Sequence, residues 1–123
     1  MKNEFVAVKQ NMLSMLKYSK VEFKEYKKTG NVVYLQQAGE KLFNAIENYI
    51  QYVNKIRYSS YYEITQNVKE KPLRKLLYDA KRLHIFFYNG ELEMRVDDAE
   101  DEYIRISSVF ESRIKRLGGN QNG

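Results

Sequence analysis

The sequence predicts an all-α fold, an elongated antiparallel up-down four-helix bundle, and three observations predict it. Apolar residues recur at alternating spacings of three and four along four long segments. The breaks between those segments are short: Thr29-Gly30-Asn31, Arg57-Tyr58-Ser59-Ser60 and Asn89-Gly90. No stretch alternates apolar and polar residues with the period of two that a half-buried strand requires. The chain of 123 residues is the length of one domain, read as 1–117 with a polar C-terminal tail over 118–123.

The first segment, roughly 3–28, carries Phe5, Val8, Met12, Met15, Leu16, Phe23 and Tyr26 on one face. The second, roughly 32–57, has one stripe of Leu35, Ala38, Leu42, Ala45, Tyr49, Tyr52 and Ile56 and another of Phe43, Ile46, Ile50 and Val53. Two apolar faces put a helix at the centre of a bundle or between the core and a partner. The third segment opens with Pro72 in its first turn, where the missing N–H costs nothing. It continues through Leu73, Leu76, Leu77, Ala80, Leu83, His84 and Phe87. The fourth, roughly 91–117, repeats Leu92, Val96, Ala99, Tyr103, Ile106, Phe110, Ile114 and Leu117, and Gly118-Gly119 is expected to end it. Residues 61–70 fit either a short helix or an ordered loop. Short connections make sequence neighbours antiparallel, and a three-four repeat favours small crossing angles. At about 1.5 Å per residue the longest helix reaches ~40 Å, hence the elongated shape.

Composition excludes several chemistries. There is no Cys, so disulfide frameworks, thiolate metal sites and cysteine nucleophiles are absent together. One His among 123 residues leaves little for a zinc centre or a serine-type triad. Lys81 stands where a Glu-x-x-His di-iron pair ending at His84 needs its acid, so no metal or other cofactor is expected. No glycine-rich phosphate loop is present. No apolar run approaches the ~18 residues of a membrane span and the N-terminus lacks a signal-peptide core, so a cytoplasmic protein is expected.

The net charge of +5 is uneven. Residues 1–60 carry +5, residues 61–90 carry +3 and residues 91–123 carry −3. Lys17, Lys20, Lys24, Lys27 and Lys28 form a basic stripe at helical spacing, and Lys69, Lys71, Arg74 and Lys75 gather at the start of the third segment. Opposite in sign are Asp97, Asp98, Glu100, Asp101 and Glu102 in the fourth. A basic stripe is the electrostatic footprint of phosphate binding. It is equally a solvated helix face linked by salt bridges to a neighbour, or the complement of an acidic patch on a second subunit.

Arg57, Tyr58, Tyr61 and Tyr62 cluster in the second break, beside the basic start of the third segment. Tyrosine rings with an arginine make a platform on which a base can stack, and the same rings can simply pack over one end of a bundle. His84 lies on the apolar stripe of the third segment, the position of a hydrogen-bonded core or interface histidine more often than of a catalyst.

Two phrases carry a resemblance. Gln37-Ala38-Gly39-Glu40-Lys41-Leu42-Phe43-Asn44-Ala45-Ile46 resembles the A-x-E-K-x-x-x-A second helix of HEPN-superfamily proteins. Leu83-His84-Ile85-Phe86-Phe87-Tyr88-Asn89-Gly90, followed by Leu92, resembles the L-H-x-N-F-Y-E segment of archaeal HEPN relatives of the PaREP type. Order and spacing agree over roughly 5–115. The resemblance implies a HEPN-like up-down bundle, commonly a homodimer, in a superfamily that includes RNA-cleaving toxins, nucleotide-binding partners of minimal nucleotidyltransferases and inert scaffolds. The ribonuclease members carry an Arg and a later His with four to six residues between them. Counting back from His84, those positions hold Leu77, Tyr78 and Asp79, so the ribonuclease motif is missing.

The expected function is therefore non-catalytic binding of a nucleotide, an RNA or a nucleotidyltransferase-type partner by a homodimer. The expected ligand-binding residues are Arg57, Tyr58, Tyr61, Tyr62, Lys71, Arg74, His84 and Tyr88, near one end of the bundle. Two alternatives stand beside it. One is an interaction module with no ligand site. The other is a ribonuclease that uses His84 with Arg82, or with Arg74 of a second subunit, because His transfers protons near neutral pH.

Overall fold

A computed structural model describes residues 2–56, 60–86 and 94–122, and side chains over 5–56, 60–85 and 94–117. Arg57, Tyr58, Phe87 and Tyr88, the Asn89-Gly90 break and Leu92 lie outside the described residues. Within them the chain is all-helical, with five helices and no strand. These are α1 (Lys2–Thr29), α2 (Val32–Asn54), α3 (Tyr61–Asn67), α4 (Lys71–Phe86) and α5 (Val96–Asn122).

Neither Gly nor Pro interrupts α1, and it stops where Gly30 takes φ +73 and its N–H donates to Tyr26 O at 2.7 Å. Only glycine holds that left-handed conformation without a Cβ penalty. Asn31 caps the next helix at once, its Oδ1 accepting from the Val33 N–H at 3.0 Å. The chain reverses in two residues. Lys9 lies over the Tyr52 ring and Lys55 over the Phe5 ring, while at the other end Lys41 Nζ donates to Glu22 Oε1 at 2.9 Å, so α1 and α2 run antiparallel.

Both apolar stripes of α2 are used. Leu35, Ala38, Leu42, Ala45 and Tyr49 are buried, and so are Phe43, Ile46 and Ile50. The helix packs against α1, α3, α4 and α5, and is the central element of the core. Lys55 ends it in the left-handed region at φ 54, its N–H donating to Gln51 O. Ser60 caps α3, accepting from the Glu63 N–H at 3.1 Å, so the segment left open between helix and loop is helical over Tyr61–Asn67. Ile64, Thr65 and Val68 are buried, which gives this short helix a tertiary reason to form. Pro72 sits in the first turn of α4, and Arg74 Nη1 reaches back to donate to Val68 O at 3.0 Å.

The last helix carries in its first turn Asp97 and Asp98, whose carboxylates favour the positive N-terminal end of the helix dipole. It runs through Gly118-Gly119 to Asn122, past the expected stop. Glycine costs a helix about 1 kcal/mol per residue but does not clash with it, whereas proline does. Against α1 it is tied by Lys27 to Glu100 and Lys20 to Glu111, both at 3.2 Å, which sets the two antiparallel. Against α4 the ties are Arg105 to Asp79 at 3.0 Å and Arg113 to Glu70, antiparallel again.

The core seats Met12 from α1, the α2 stripes, Leu73, Leu76, Leu77, Ala80 and Leu83 from α4, and Ala99, Tyr103, Ile106 and Phe110 from α5. Tyr49 meets Phe110 edge-on, ring centroids 5.5 Å apart. Removing the fully buried Phe110 ring would cost about 3–5 kcal/mol, transfer plus cavity. Ser19 is fully buried at the meeting of three helices, its Oγ 2.7 Å from Ala38 O and 2.8 Å from Tyr103 Oη.

Candidate functional site

On the outer edge of the α2–α4 contact, one face of α2 presents Glu40, Phe43 and Glu47 at spacings of three and four. One face of α4 presents Tyr78, Lys81 and His84 at spacings of three, and Tyr61 opens α3 beside them. The His84 imidazole lies almost flat on the Phe43 ring, centroids 5.0 Å apart and planes 12° from parallel. Lys81 Nζ is 5.1 Å from the centroid of Phe43 and 5.0 Å from that of Tyr61, so one ammonium serves two rings. Tyr61 is itself tilted against Phe43 at 6.1 Å.

Glu47, one turn after Phe43 on α2, is 8% exposed and feels the Lys81 charge. Burial pushes its carboxyl up to about 7, against the opposing pull of the Lys81 charge. His84 moves the other way. Burial lowers its pKa, the Lys81 charge lowers it further, and Glu40 partly offsets both. Burial also raises the Tyr61 phenol, with Tyr78 and Glu47 adding to the rise. Near neutral pH the cluster therefore holds a neutral imidazole, a lysine cation and a carboxyl on the edge of ionisation. Groups whose environments push their pKa values apart mark sites where protons or charged ligands are handled. Here the arrangement offers one cation and stacked aromatic surface, the two needs of a planar base bearing phosphate.

Of the residues expected to form a site, the structure brings together Tyr61 and His84. Tyr62, beside Tyr61, points to solvent and is 69% exposed. Lys71 and Arg74 do not join His84, correcting the expectation of one shared end. Lys71 and His84 lie at opposite ends of the 16-residue α4, about 20 Å apart along its axis. Arg74 is committed to Val68 O. Arg82 is exposed and lies outside the Lys81–His84 face. All five lysines of the α1 stripe are exposed, as a helix face should be. Lys20 and Lys27 pair with Glu111 and Glu100 of α5, and Lys28 lies 3.9 Å from Glu25. Two acids of α5, Glu100 and Glu111, thus answer two of the five stripe lysines within one chain.

Sequence reasoning missed Phe43, Glu47 and Lys81 as site residues. A signal existed for Glu47, an acid beside Ile46 on a helix apolar on both faces. Phe43 gave none, because its spacing is that of a core residue. Among the described residues, no group of His, Asp and Glu is arranged to hold a metal ion, and no helix is long and apolar enough to cross a membrane. The chain matches no protein-family model, no curated protein and no solved structure.

Proposed function

We propose that the chain is a HEPN-like, non-catalytic four-helix bundle, cytoplasmic and homodimeric, that binds a nucleotide unit, free or within RNA, on the α2–α3–α4 face. The observation that carries this reading is the single ammonium of Lys81 set against the rings of Phe43 and Tyr61 with His84 stacked on Phe43. Tyr61, Tyr78 and His84 are only partly covered or exposed, so this aromatic edge is open to a ligand. Lys81 attracts phosphate, and the tyrosine rings offer a base the stacking worth about 1–3 kcal/mol per base. The antiparallel pairings of α1 with α2, α1 with α5 and α4 with α5 support an up-down arrangement of the four long helices.

Purification at low salt tests the reading, with the 260/280 nm absorbance ratio reporting bound nucleic acid and light scattering reporting mass. A dimer that carries nucleic acid, released as salt rises, is the expected result. Protein free of nucleic acid that also fails to bind added ATP or single-stranded RNA sinks it. The reading as a ribonuclease using His84 has its own test, since RNA cleavage by wild type and its loss in His84→Ala would replace binding with catalysis.

A further inference from the structure

Away from that face, α1 and α5 enclose an open groove of about 690 Å³. Its floor is the Phe23–Tyr103 stack, ring centroids 4.4 Å apart, and its walls are Val21 and Ile104, which are 51% and 46% exposed. Aliphatic side chains this open, gathered beside an apolar groove on adjoining helices, suit a surface that meets another molecule. The rim is basic. Lys20 and Lys27 reach across it to Glu111 and Glu100, whereas Lys17 and Lys24 make no ion pair among the described residues. Lys17 and Lys24 stand two helical turns apart on one face of α1, about 10.5 Å along its axis. Continuing that face toward the N-terminus, Leu13 and Val6 are 44% and 51% exposed. The result is an apolar strip punctuated by two lysines that have no ion-pair partner among the described residues.

We propose that this groove is a docking site for an acidic amphipathic helix of a partner protein. Carboxylates two turns apart on that helix repeat the Lys17–Lys24 interval, and apolar side chains between them enter the groove between Val21 and Ile104. Tyr103 is buried and stacked on Phe23, which leaves little open ring for a base, whereas the exposed aliphatic Val21 and Ile104 suit the apolar side chains of a helix over RNA. A second copy of this chain fits poorly, because pairing the groove with itself brings both lysine rows into one interface.

An unbiased library of displayed amphipathic helices, panned against the full chain at low salt, supplies the probe. Enriched peptides should carry acids two turns apart with apolar residues between. Their affinity should fall roughly tenfold or more for Lys17→Glu/Lys24→Glu, since reversed charges repel the same acids. It should fall likewise for Ile104→Ser and remain unchanged for Lys81→Gln, which touches the proposed nucleotide site alone. Circular dichroism is expected to stay unchanged in the lysine variant, whose altered side chains are exposed and form no internal ion pair among the described residues. No enrichment, enriched peptides without the acidic pattern, or undiminished binding to the lysine variant overturns the proposal. So does loss of a dimer in the lysine variant, which identifies a second copy as the occupant. Lysine-dependent pelleting with phosphatidylglycerol vesicles overturns it in favour of a lipid surface.

Discussion

The His84 imidazole lies flat against the Phe43 ring at 5.0 Å, with the Lys81 ammonium 5.1 Å from the same ring. A histidine covered by a phenyl group and one helical turn from a fixed positive charge has two reasons to stay neutral, burial and repulsion. Lys81 opposes the rise at Glu47 as well, so a single side chain pulls both groups down. Lys81→Met should therefore raise both pKa values, His84 toward the ordinary imidazole range and Glu47 further above about 7. NMR titration of the imidazole and carboxyl resonances reads both. Unmoved values would mean that the lysine charge does not reach the cluster.

The dependence of stability on pH follows from the same two groups, with opposite signs. Glu47 has a folded pKa of about 7 against 4.5 ordinarily. Between those values the unfolded chain has released the proton and the folded one retains it, so stability falls as pH rises, by up to ~3 kcal/mol, and levels off above the folded value. His84 has a lowered folded pKa, so stability falls as pH drops below the ordinary 6.5. Glu47→Gln should be more stable than wild type at pH 8, and its stability should still decline on acidification below about 6.5. Urea midpoints from pH 5 to 8 measure this. A variant less stable than wild type at pH 8 contradicts the burial argument, since the facing Lys81 would then be stabilising an ionised Glu47.

Ser19 has one hydroxyl proton, and its 2.7 Å contact with Ala38 O uses it. The 2.8 Å bond to Tyr103 must then be donated by the phenol. Burial pushes that phenol up to about 12, holding it protonated and able to donate. Ser19→Ala leaves a buried donor unsatisfied and should cost about 2 kcal/mol, whereas Tyr103→Phe removes the donor itself and should cost about 1 kcal/mol. Equal losses, or a reversed order, in chemical unfolding would reverse the assigned donor.

Gly30 offers a purely conformational test. A Cβ there would meet nothing within 4 Å, yet the residue holds φ +73. Gly30→Ala should cost about 1 kcal/mol without changing the fold. A neutral substitution would mean that the α1–α2 turn accepts another backbone conformation.

Much of the fold was legible because its signals are local. The two stripes of α2 announced a helix covered on both sides, and Gly30 and Pro72 marked a turn and a first turn by their own backbone chemistry. The seven-residue α3 was ambiguous because its helical state depends on seating Ile64 and Thr65 in the core, a tertiary fact. The end of α5 was misjudged because paired glycines weaken a helix without forbidding it. The site was less legible. Tyr61 and His84 stood out as residue types, but the apolar pattern labels Phe43 as core and hides the ring on which His84 rests. Lys71 and Arg74 were grouped with His84 by closeness in sequence, which along a helix becomes distance.

The α2–α3–α4 face is proposed to bind a nucleotide unit. Fluorescence anisotropy with labelled single-stranded RNA, competed by ATP, measures it directly in wild type, Lys81→Gln and Tyr61→Ala. Salt-sensitive binding by wild type should fall about tenfold or more in each variant while circular dichroism stays unchanged. Binding of equal strength in all three proteins, or none in wild type, would contradict it.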